Sequence, residues 1–190
     1  MNRTKKAIFE SGVKVFSEKG FTGATMDEIA ANAGLVKGTL YYHFKSKQEI
    51  FDYIISEGIS IIKDEVQEAV KREKNYISKI RELCRIQLNV VYNNRDFVKV
   101  VMSELWGRGD INSEIKNAIT KYISYIENNL KEGMESGEVR KGEPSFMAYT
   151  FLGMLCSSAV YEFINKDKEN VSKVIDNLIT YMVEGIGNPI

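Results

Sequence analysis

Two helix-start signals lie close together near the N-terminus and frame one short segment of the chain. Thr25 is followed three residues later by Glu28, and Ser46 is followed in the same way by Glu49. This spacing is typical of a capping box, in which the two side chains bond backbone N–H groups at the start of a helix. Gly34 lies between the two signals and predicts a sharp turn. The segment therefore holds two short helices ahead of a longer one.

Helical periodicity extends on both sides of this segment. Apolar residues recur with a 3.6-residue period from residue 3 to 19, and Gly20 predicts the end of that helix. Three short helices with a glycine turn between the last two form a helix-turn-helix unit. We find no convincing period-2 strand, so the predicted fold class is all-α with about nine helices. Beyond the first three, the predicted helices span 46–72, 75–93, 96–106, 112–136, 144–165 and 168–186.

The pattern predicts an N-terminal head, residues 1–46, and a C-terminal helical body, residues 47–190. Residues 1–50 hold eight Lys/Arg against five Asp/Glu, whereas the whole 190-residue chain holds 26 of each. A basic head on an acidic body indicates a polyanionic partner for the head. The long helix that begins near residue 46 is expected to connect the head to the body.

The segment LVKGTLYYHF, residues 35–44, carries the residues that most suggest a function. On a helix, Val36, Leu40 and Phe44 share one face, which we expect to pack inward. An apolar back with a polar front suits a helix that lies in the major groove of DNA. The outward-facing residues of that helix are expected to be Lys37, Gly38, Tyr41 and Tyr42.

The glycine in this helix needs a reason, because glycine costs a helix about 1 kcal/mol relative to alanine. Close approach of the backbone at Gly38 to a phosphate or base edge would supply one, since no Cβ intervenes. Easier packing inside the protein is the alternative. Lys47 lies in the first helical turn, where acidic residues are preferred, which suggests a nearby anion. The predicted DNA contacts are Thr25, Met26, Lys37, Gly38, Thr39, Tyr41, Tyr42, His43 and Lys47.

The single histidine, His43, raises a catalytic alternative. A catalytic triad or a metal site needs partners at matching positions, and the chain contains no HExxH, CxxC or GxSxG sequence. Cys84 and Cys156 lie in apolar helical surroundings and are predicted to be reduced thiols of a cytoplasmic protein. We therefore expect no catalytic residue, no metal and no cofactor, and we do not expect an enzyme.

Residues 144–161 contain no charged side chain, which raises the question of a membrane span. Eighteen residues reach the lower limit for a spanning helix. However, the run contains Pro144, three serines, a threonine and two tyrosines, and no basic cluster flanks it. We predict a helix covered on both sides, with no membrane partner.

Residues 16–51 share many positions with one known family. The matching features are Phe16, Gly20-Phe21, Thr25, Ile29-Ala30, Ala33-Gly34, Lys37-Gly38-Thr39, Tyr41, Phe44, Lys47 and Phe51. In this combination the run resembles the DNA-binding region of TetR-family transcriptional regulators. The chain departs from the family at Val36, where a small hydroxyl residue is common. It also departs at Gly12, where alanine is usual, which should loosen the first helix slightly.

The resemblance implies a homodimer whose two heads bind a palindromic operator in double-stranded DNA. It also implies a body that binds a small-molecule effector, with repression relieved when the effector binds. In this family the last two helices of each subunit form the dimer interface, and the small residues at 153–159 would let two helices approach closely. The interface residues expected from this are Gly153, Ser157, Val160, Ile175, Leu178 and Met182.

The resemblance also implies where the effector binds. Aromatic and methionine residues lie on the helices that enclose the pocket in related proteins, although ordinary core packing is the alternative for each. The candidate pocket residues are Tyr92, Met102, Trp106, Tyr122, Tyr125, Tyr149 and Met154.

Two functional questions remain open at the level of the sequence. Residues 100–119 resemble TetR-type regulators of fatty-acid metabolism that sense acyl-coenzyme A, which implies a largely apolar effector. A flat aromatic or cationic compound is the competing effector class. For the chain as a whole, the alternative function is a helical protein-interaction module whose head no longer reads DNA.

Overall fold

The computed structural model describes residues 2–105, 113–164 and 171–183. Within those ranges the regular elements are nine α-helices and no strand, so the all-α prediction is confirmed. The helices are α1 (Arg3–Gly23), α2 (Met26–Asn32), α3 (Lys37–His43), α4 (Lys47–Val70), α5 (Tyr76–Asn93), α6 (Arg95–Leu105), α7 (Ser113–Ser136), α8 (Pro144–Ile164) and α9 (Val171–Val183).

Local sequence signals explain where several helices begin. The hydroxyl of Thr25 accepts a hydrogen bond from the backbone N–H of Glu28, and the Glu28 carboxylate accepts one from the N–H of Thr25, both at 3.2 Å. The hydroxyl of Ser46 likewise accepts from the N–H of Glu49 at 3.1 Å. α8 begins at Pro144, where the missing N–H has no helical partner to lose.

Gly20 interrupts α1. Its φ of 68° lies in the left-handed region, which glycine adopts without a Cβ clash. The backbone N–H of Ala24 bonds the Gly20 carbonyl at 3.2 Å, which closes a further short turn that ends at Gly23. The helix end predicted at Gly20 is therefore a kink, followed by the last residues of α1.

Packing divides the helices into two compact units. The first combines Met1–Ser60 with Asn94–Ala118, and the second combines Ile61–Asn93 with Ile119–Ile190. α4 and α7 therefore each begin in the first unit and end in the second. The functional boundary expected between residues 46 and 47 stays a prediction.

The first unit has a closely packed apolar core. A buried hydrogen bond also links α1 to α2, because the Ser11 hydroxyl donates to the Ile29 carbonyl at 2.7 Å. Burial of each large aliphatic or aromatic side chain contributes about 1.5–3 kcal/mol. The core residues that are no more than 3% exposed include Ile8, Val15, Phe16, Ile29, Leu40, Ile50, Phe51, Ile54 and Ile55.

Two glycines in this unit permit close helix packing. A Cβ at Gly12 would collide with Cδ1 of Ile54 on α4, and one at Gly58 would collide with the Phe97 ring on α6. The sequence predicted that Gly12 would loosen α1, at a cost of about 1 kcal/mol in helix propensity. The structure shows that the same glycine lets α1 pack more closely against α4. Gly12 is a packing residue.

The second unit is built around α5, which packs against α8 and α9. None of the helices in the described part of the chain is long and apolar enough to cross a bilayer. The core residues of this unit include Leu83, Cys84, Ile86, Leu88, Ile123, Ile126, Leu130, Phe151, Leu155 and Ile179.

Candidate nucleic-acid interface

A four-residue turn, 33–36, joins α2 to α3 and determines which face of α3 is exposed. Gly34 has a φ of 66°, and the N–H of Leu35 donates to the Ala30 carbonyl at 2.9 Å, which closes the end of α2. α3 then places Leu40, 0% exposed, and Phe44, 7% exposed, against the core of the first unit. The opposite face of α3 is left to solvent.

The exposed face of α3 carries most of the residues predicted to contact DNA. Tyr42 is 79% exposed and Tyr41 is 44% exposed, and Lys37 and Gly38 are also exposed. His43 is half-buried, with its ring edge-on to the Tyr42 ring at 5.3 Å between centroids. Thr39 and Met26 are half-buried, and Thr25 is exposed at the start of α2. The structure thus collects these predicted contacts on and beside one helix face.

Val36 corrects one sequence prediction. The helical spacing with Leu40 and Phe44 predicted an inward side chain, but Val36 is 74% exposed. The reason is that Val36 is the N-cap of α3, with an extended backbone at φ −72° and ψ 146°. A residue outside the helical conformation does not follow the helical period. Val36 instead adds an apolar side chain to the exposed face.

The surroundings of Gly38 favour one of the two explanations for the glycine. A Cβ built at Gly38 would meet no atom within 4 Å in the described part of the chain. Internal packing therefore does not account for a glycine at this position. The open space favours the other explanation, clearance for a molecule outside the protein.

Lys37 is held beside α3 by an acidic residue of α2. Its ammonium lies 2.5 Å from the Asp27 carboxylate, and the two side chains are 67% and 53% exposed. The hydrogen bond from Lys37 to Asp27 raises the pKa of the lysine. Exposed ion pairs of this kind contribute little to stability. The Lys37 ammonium could therefore leave the Asp27 carboxylate and bind a phosphate instead, with little loss of stability.

Lys47 has partners that the sequence did not reveal. Its ammonium donates to the carbonyl of Ala24 at 2.8 Å and of Thr22 at 3.3 Å, and lies 4.6 Å from the centre of the Phe21 ring. These carbonyls explain why a lysine occupies the first turn of α4 without an anion. The same contacts fix the segment that leads into Thr25 and α2.

The second unit contains a cavity of about 620 Å³, within the range of small-molecule sites. α5, α7, α8 and α9 border it, together with the segment that follows α7. Glu138 and Arg140 bring charge to an otherwise largely apolar wall. The lining residues are Ile77, Ile80, Leu130, Glu138, Val139, Arg140, Phe146, Met147, Thr150, Phe151, Met154 and Met182.

Of the predicted effector residues that the structure describes, Met154 alone lines this cavity. Tyr122 is buried on α7, and Tyr149 is 55% exposed on α8. Trp106 lies outside the described residues. The half-buried remainder comprises Tyr92, Met102 and Tyr125. Sequence reasoning missed Met147 and Phe151, which precede Met154 on α8 at successive spacings of four and three residues.

α8 also presents an exposed stripe, defined by Phe146, Tyr149, Gly153, Ser157, Val160 and Ile164. The spacing of three or four residues puts the stripe on one helix face. Exposed apolar side chains grouped on one face are typical of a surface that contacts a partner. The stripe includes three residues of the predicted dimer interface.

The other three predicted interface residues lie on α9 and face their own protomer to differing degrees. Ile175 is 7% exposed, and Leu178 is half-buried. Met182 is half-buried, lines the cavity and has its Sδ 3.4 Å from the Sγ of Cys84. Burial raises the pKa of the Cys84 thiol to about 12, so it stays protonated.

The head has three helices, a glycine turn between the last two, and an exposed polar face on the third. This arrangement defines a helix-turn-helix DNA-binding protein. Two family profiles match the chain: "Bacterial regulatory proteins, tetR family" at residues 8–54, and "Tetracyclin repressor-like, C-terminal domain" at residues 73–161. A solved Clostridium perfringens protein, described as a candidate fatty acid metabolism regulator, is 40% identical with a TM-score of 0.88. The match covers 96% of this chain and 100% of that one. The chain belongs to the TetR family, as the sequence resemblance predicted.

Two further relatives agree in length and fold. YhgD of Bacillus subtilis, a helix-turn-helix transcriptional regulator of uncharacterised role, is 25% identical over 96% of both chains. The Bacillus subtilis regulator FadR, solved with stearoyl-CoA, shares the fold at a TM-score of 0.88 and 21% identity, over 96% of this chain and 99% of its own. Family membership makes the protein a dimeric DNA-binding transcriptional regulator with a small-molecule effector.

Proposed function

We propose that the protein is a transcriptional repressor that places α3 in the major groove of a palindromic operator, one head of the homodimer on each half-site. The observation that carries this proposal is the division of α3 into a buried back and an exposed front with an open glycine. The major groove of B-DNA is wide enough to admit a helix. The protein acts in the cytoplasm on its operator and catalyses no reaction.

The proposed contacts divide by role. Gly38 brings the α3 backbone close to the DNA, and Lys37 and Tyr42 reach phosphates or base edges on either side of it. Thr39, Tyr41 and His43 add contacts from the same helix, and Thr25 and Met26 add contacts from the start of α2. Lys47 acts mainly by holding the segment before Thr25, through the carbonyls that it bonds.

Binding to DNA that flanks the protein's own coding region tests this proposal. We expect one palindromic site, bound with an affinity that falls steeply as salt rises, because each neutralised phosphate releases counterions. Lys37→Ala and Tyr42→Ala should each weaken binding by about tenfold, as expected for loss of one good DNA contact. A gel-shift titration at several salt concentrations measures both quantities.

A matched control is available in Lys71. Like Lys37, it is an exposed lysine paired with a carboxylate, that of Glu68 at 2.6 Å, but it lies directly after α4 in the second unit. Lys71→Ala should leave operator binding unchanged. If Lys37→Ala and Tyr42→Ala bind as the parent does, α3 does not read DNA. A parent that binds no flanking site would favour the protein-interaction alternative.

We propose further that the effector is an acyl thioester of coenzyme A. The largely apolar lining and the volume of the cavity support an acyl chain, and Arg140 on its wall can pair with an anionic group. The solved relative described as a candidate regulator of fatty acid metabolism and the FadR complex with stearoyl-CoA support the same chemical class.

Release of the operator tests the effector class. We expect stearoyl coenzyme A to lower the fraction of operator bound, while coenzyme A alone does not, because it lacks the apolar chain that fills the cavity. Fluorescence anisotropy of labelled operator DNA measures this release. An aromatic cation that releases the operator where stearoyl coenzyme A does not would replace the thioester as the effector.

A further inference from the structure

Val36 occupies the N-cap position of α3 without capping the helix. The side chains of Asn2, Thr25 and Ser46 accept hydrogen bonds from backbone N–H groups at the starts of α1, α2 and α4. The Val36 side chain has no hydrogen-bonding atom and makes no such bond. Valine is among the poorest residues for this position, and serine or threonine there would stabilise the helix. The valine therefore does not serve the stability of α3.

Val36 is also the most exposed large aliphatic side chain in the described part of the first unit. Single apolar residues on a protein surface are common, but this one lies directly before the helix that exposes Lys37, Gly38 and Tyr42. In helix-turn-helix proteins the N-terminal residues of the recognition helix contact base edges. With α3 in the major groove, Val36 therefore lies at the base edges.

The major groove offers one apolar group that suits a valine side chain. Because Val36 carries no side-chain donor or acceptor, it makes no hydrogen bond to a phosphate oxygen or to the polar atoms of a base edge. Thymine alone among the four bases presents a methyl group in the major groove, at C5. Contact between this methyl group and the Val36 methyl groups removes apolar surface of both from water, which is favourable.

We propose that Val36 is a specificity-determining residue that contacts the C5 methyl group of a thymine at one position of each operator half-site. The inference rests on the proposed binding of α3 in the major groove. Lys37 contributes charge that a phosphate of any sequence can attract. Val36 instead distinguishes a thymine from the other three bases at its position.

Deoxyuridine tests this contact directly, because it lacks only the C5 methyl group and keeps the hydrogen-bonding atoms of thymine. The operator is selected from random-sequence DNA with the parent protein, and each symmetric pair of thymines is then replaced in turn. Burial of one methyl group contributes about fourfold in affinity, so removal of two should weaken binding by about 15-fold. We expect a loss of this size for at least one thymine pair, measured by fluorescence anisotropy at fixed salt.

Variants assign the contact to Val36. Val36→Ser removes both methyl groups and should bind the thymine and deoxyuridine operators equally at that pair. This variant should melt at or above the parent's temperature, because serine can cap α3, so the lost preference would not reflect an unfolded head. Val36→Ile keeps an apolar side chain and should keep the preference. Ile61→Ser is the matched control, at an exposed apolar position of α4 in the second unit, and should also keep it.

The inference is overturned if the selected half-site contains no thymine, if no thymine pair is sensitive, or if Val36→Ser keeps every sensitivity of the parent. In the last case the methyl contacts belong to other side chains, such as those of Met26 and Thr39. A selection that enriches no palindromic sequence is a different result. It would reject the proposed function itself, and this inference with it.

Discussion

Replacing Gly153 with glutamate is expected to split the homodimer and to weaken operator binding by about 10²–10⁴-fold. Gly153 lies in the middle of the exposed α8 stripe, and a Cβ there would meet no atom within 4 Å in the described part of its own protomer. The added carboxylate would be buried against the partner helix without a partner charge. Without the dimer, binding of one head no longer raises the effective concentration of the other. Sedimentation velocity and anisotropy on the full palindrome measure the two effects.

Binding to a half-site distinguishes this loss from damage to the head. The Gly153→Glu variant should bind an isolated half-site as the parent head does. Asn128→Glu adds the same charge to an exposed position of α7 and should leave the assembly and the affinity unchanged. A Gly153→Glu variant that still sediments as a dimer would remove the α8 stripe from the interface.

Leu40→Ala is expected to lower the free energy of unfolding by about 2–5 kcal/mol, the range for truncating a fully buried leucine. Leu40 is 0% exposed and lies directly behind the exposed face of α3. Val36→Ala, four residues earlier and on a side chain that is 74% exposed, should change that free energy by no more than about 0.5 kcal/mol. Urea unfolding followed by circular dichroism measures both changes.

This pair of variants distinguishes the sequence interpretation from the observed structure. If Val36 packed inward, as its spacing suggested, Val36→Ala would also be destabilising by more than about 1 kcal/mol. Comparable losses for the two variants would therefore mean that α3 begins earlier than Lys37 and that Val36 packs on the buried face beside Leu40.

The sequence predicted the head well because its signals are local. The helix-start signals at Thr25 and Ser46 and the glycine turn at Gly34 each depend on residues within a few positions of one another. Val36 was misplaced because helical periodicity alone does not tell whether a terminal residue belongs to the helix or to its cap. As a helical residue Val36 would point into the core, whereas as the cap residue it points to solvent.

Contacts between residues far apart in the sequence could not be predicted from local sequence patterns. Lys47 bonds carbonyls 23 and 25 residues earlier, and no local signal connects them. On α8, apolar residues surround the helix, so the sequence could not separate the face that lines the cavity, with Met154, from the stripe that carries Tyr149.

The exchange of Gly38 for alanine tests the central claim, that α3 is shaped to approach DNA. Alanine should keep the free energy of unfolding equal or raise it by up to about 1 kcal/mol, because it is the better helix former and no atom lies in its way. Operator binding by the same variant, measured as the dissociation constant at fixed salt, should weaken about tenfold or more, because the new methyl group separates the backbone from the groove. A Gly38→Ala protein that binds its operator as tightly as the parent would contradict the claim.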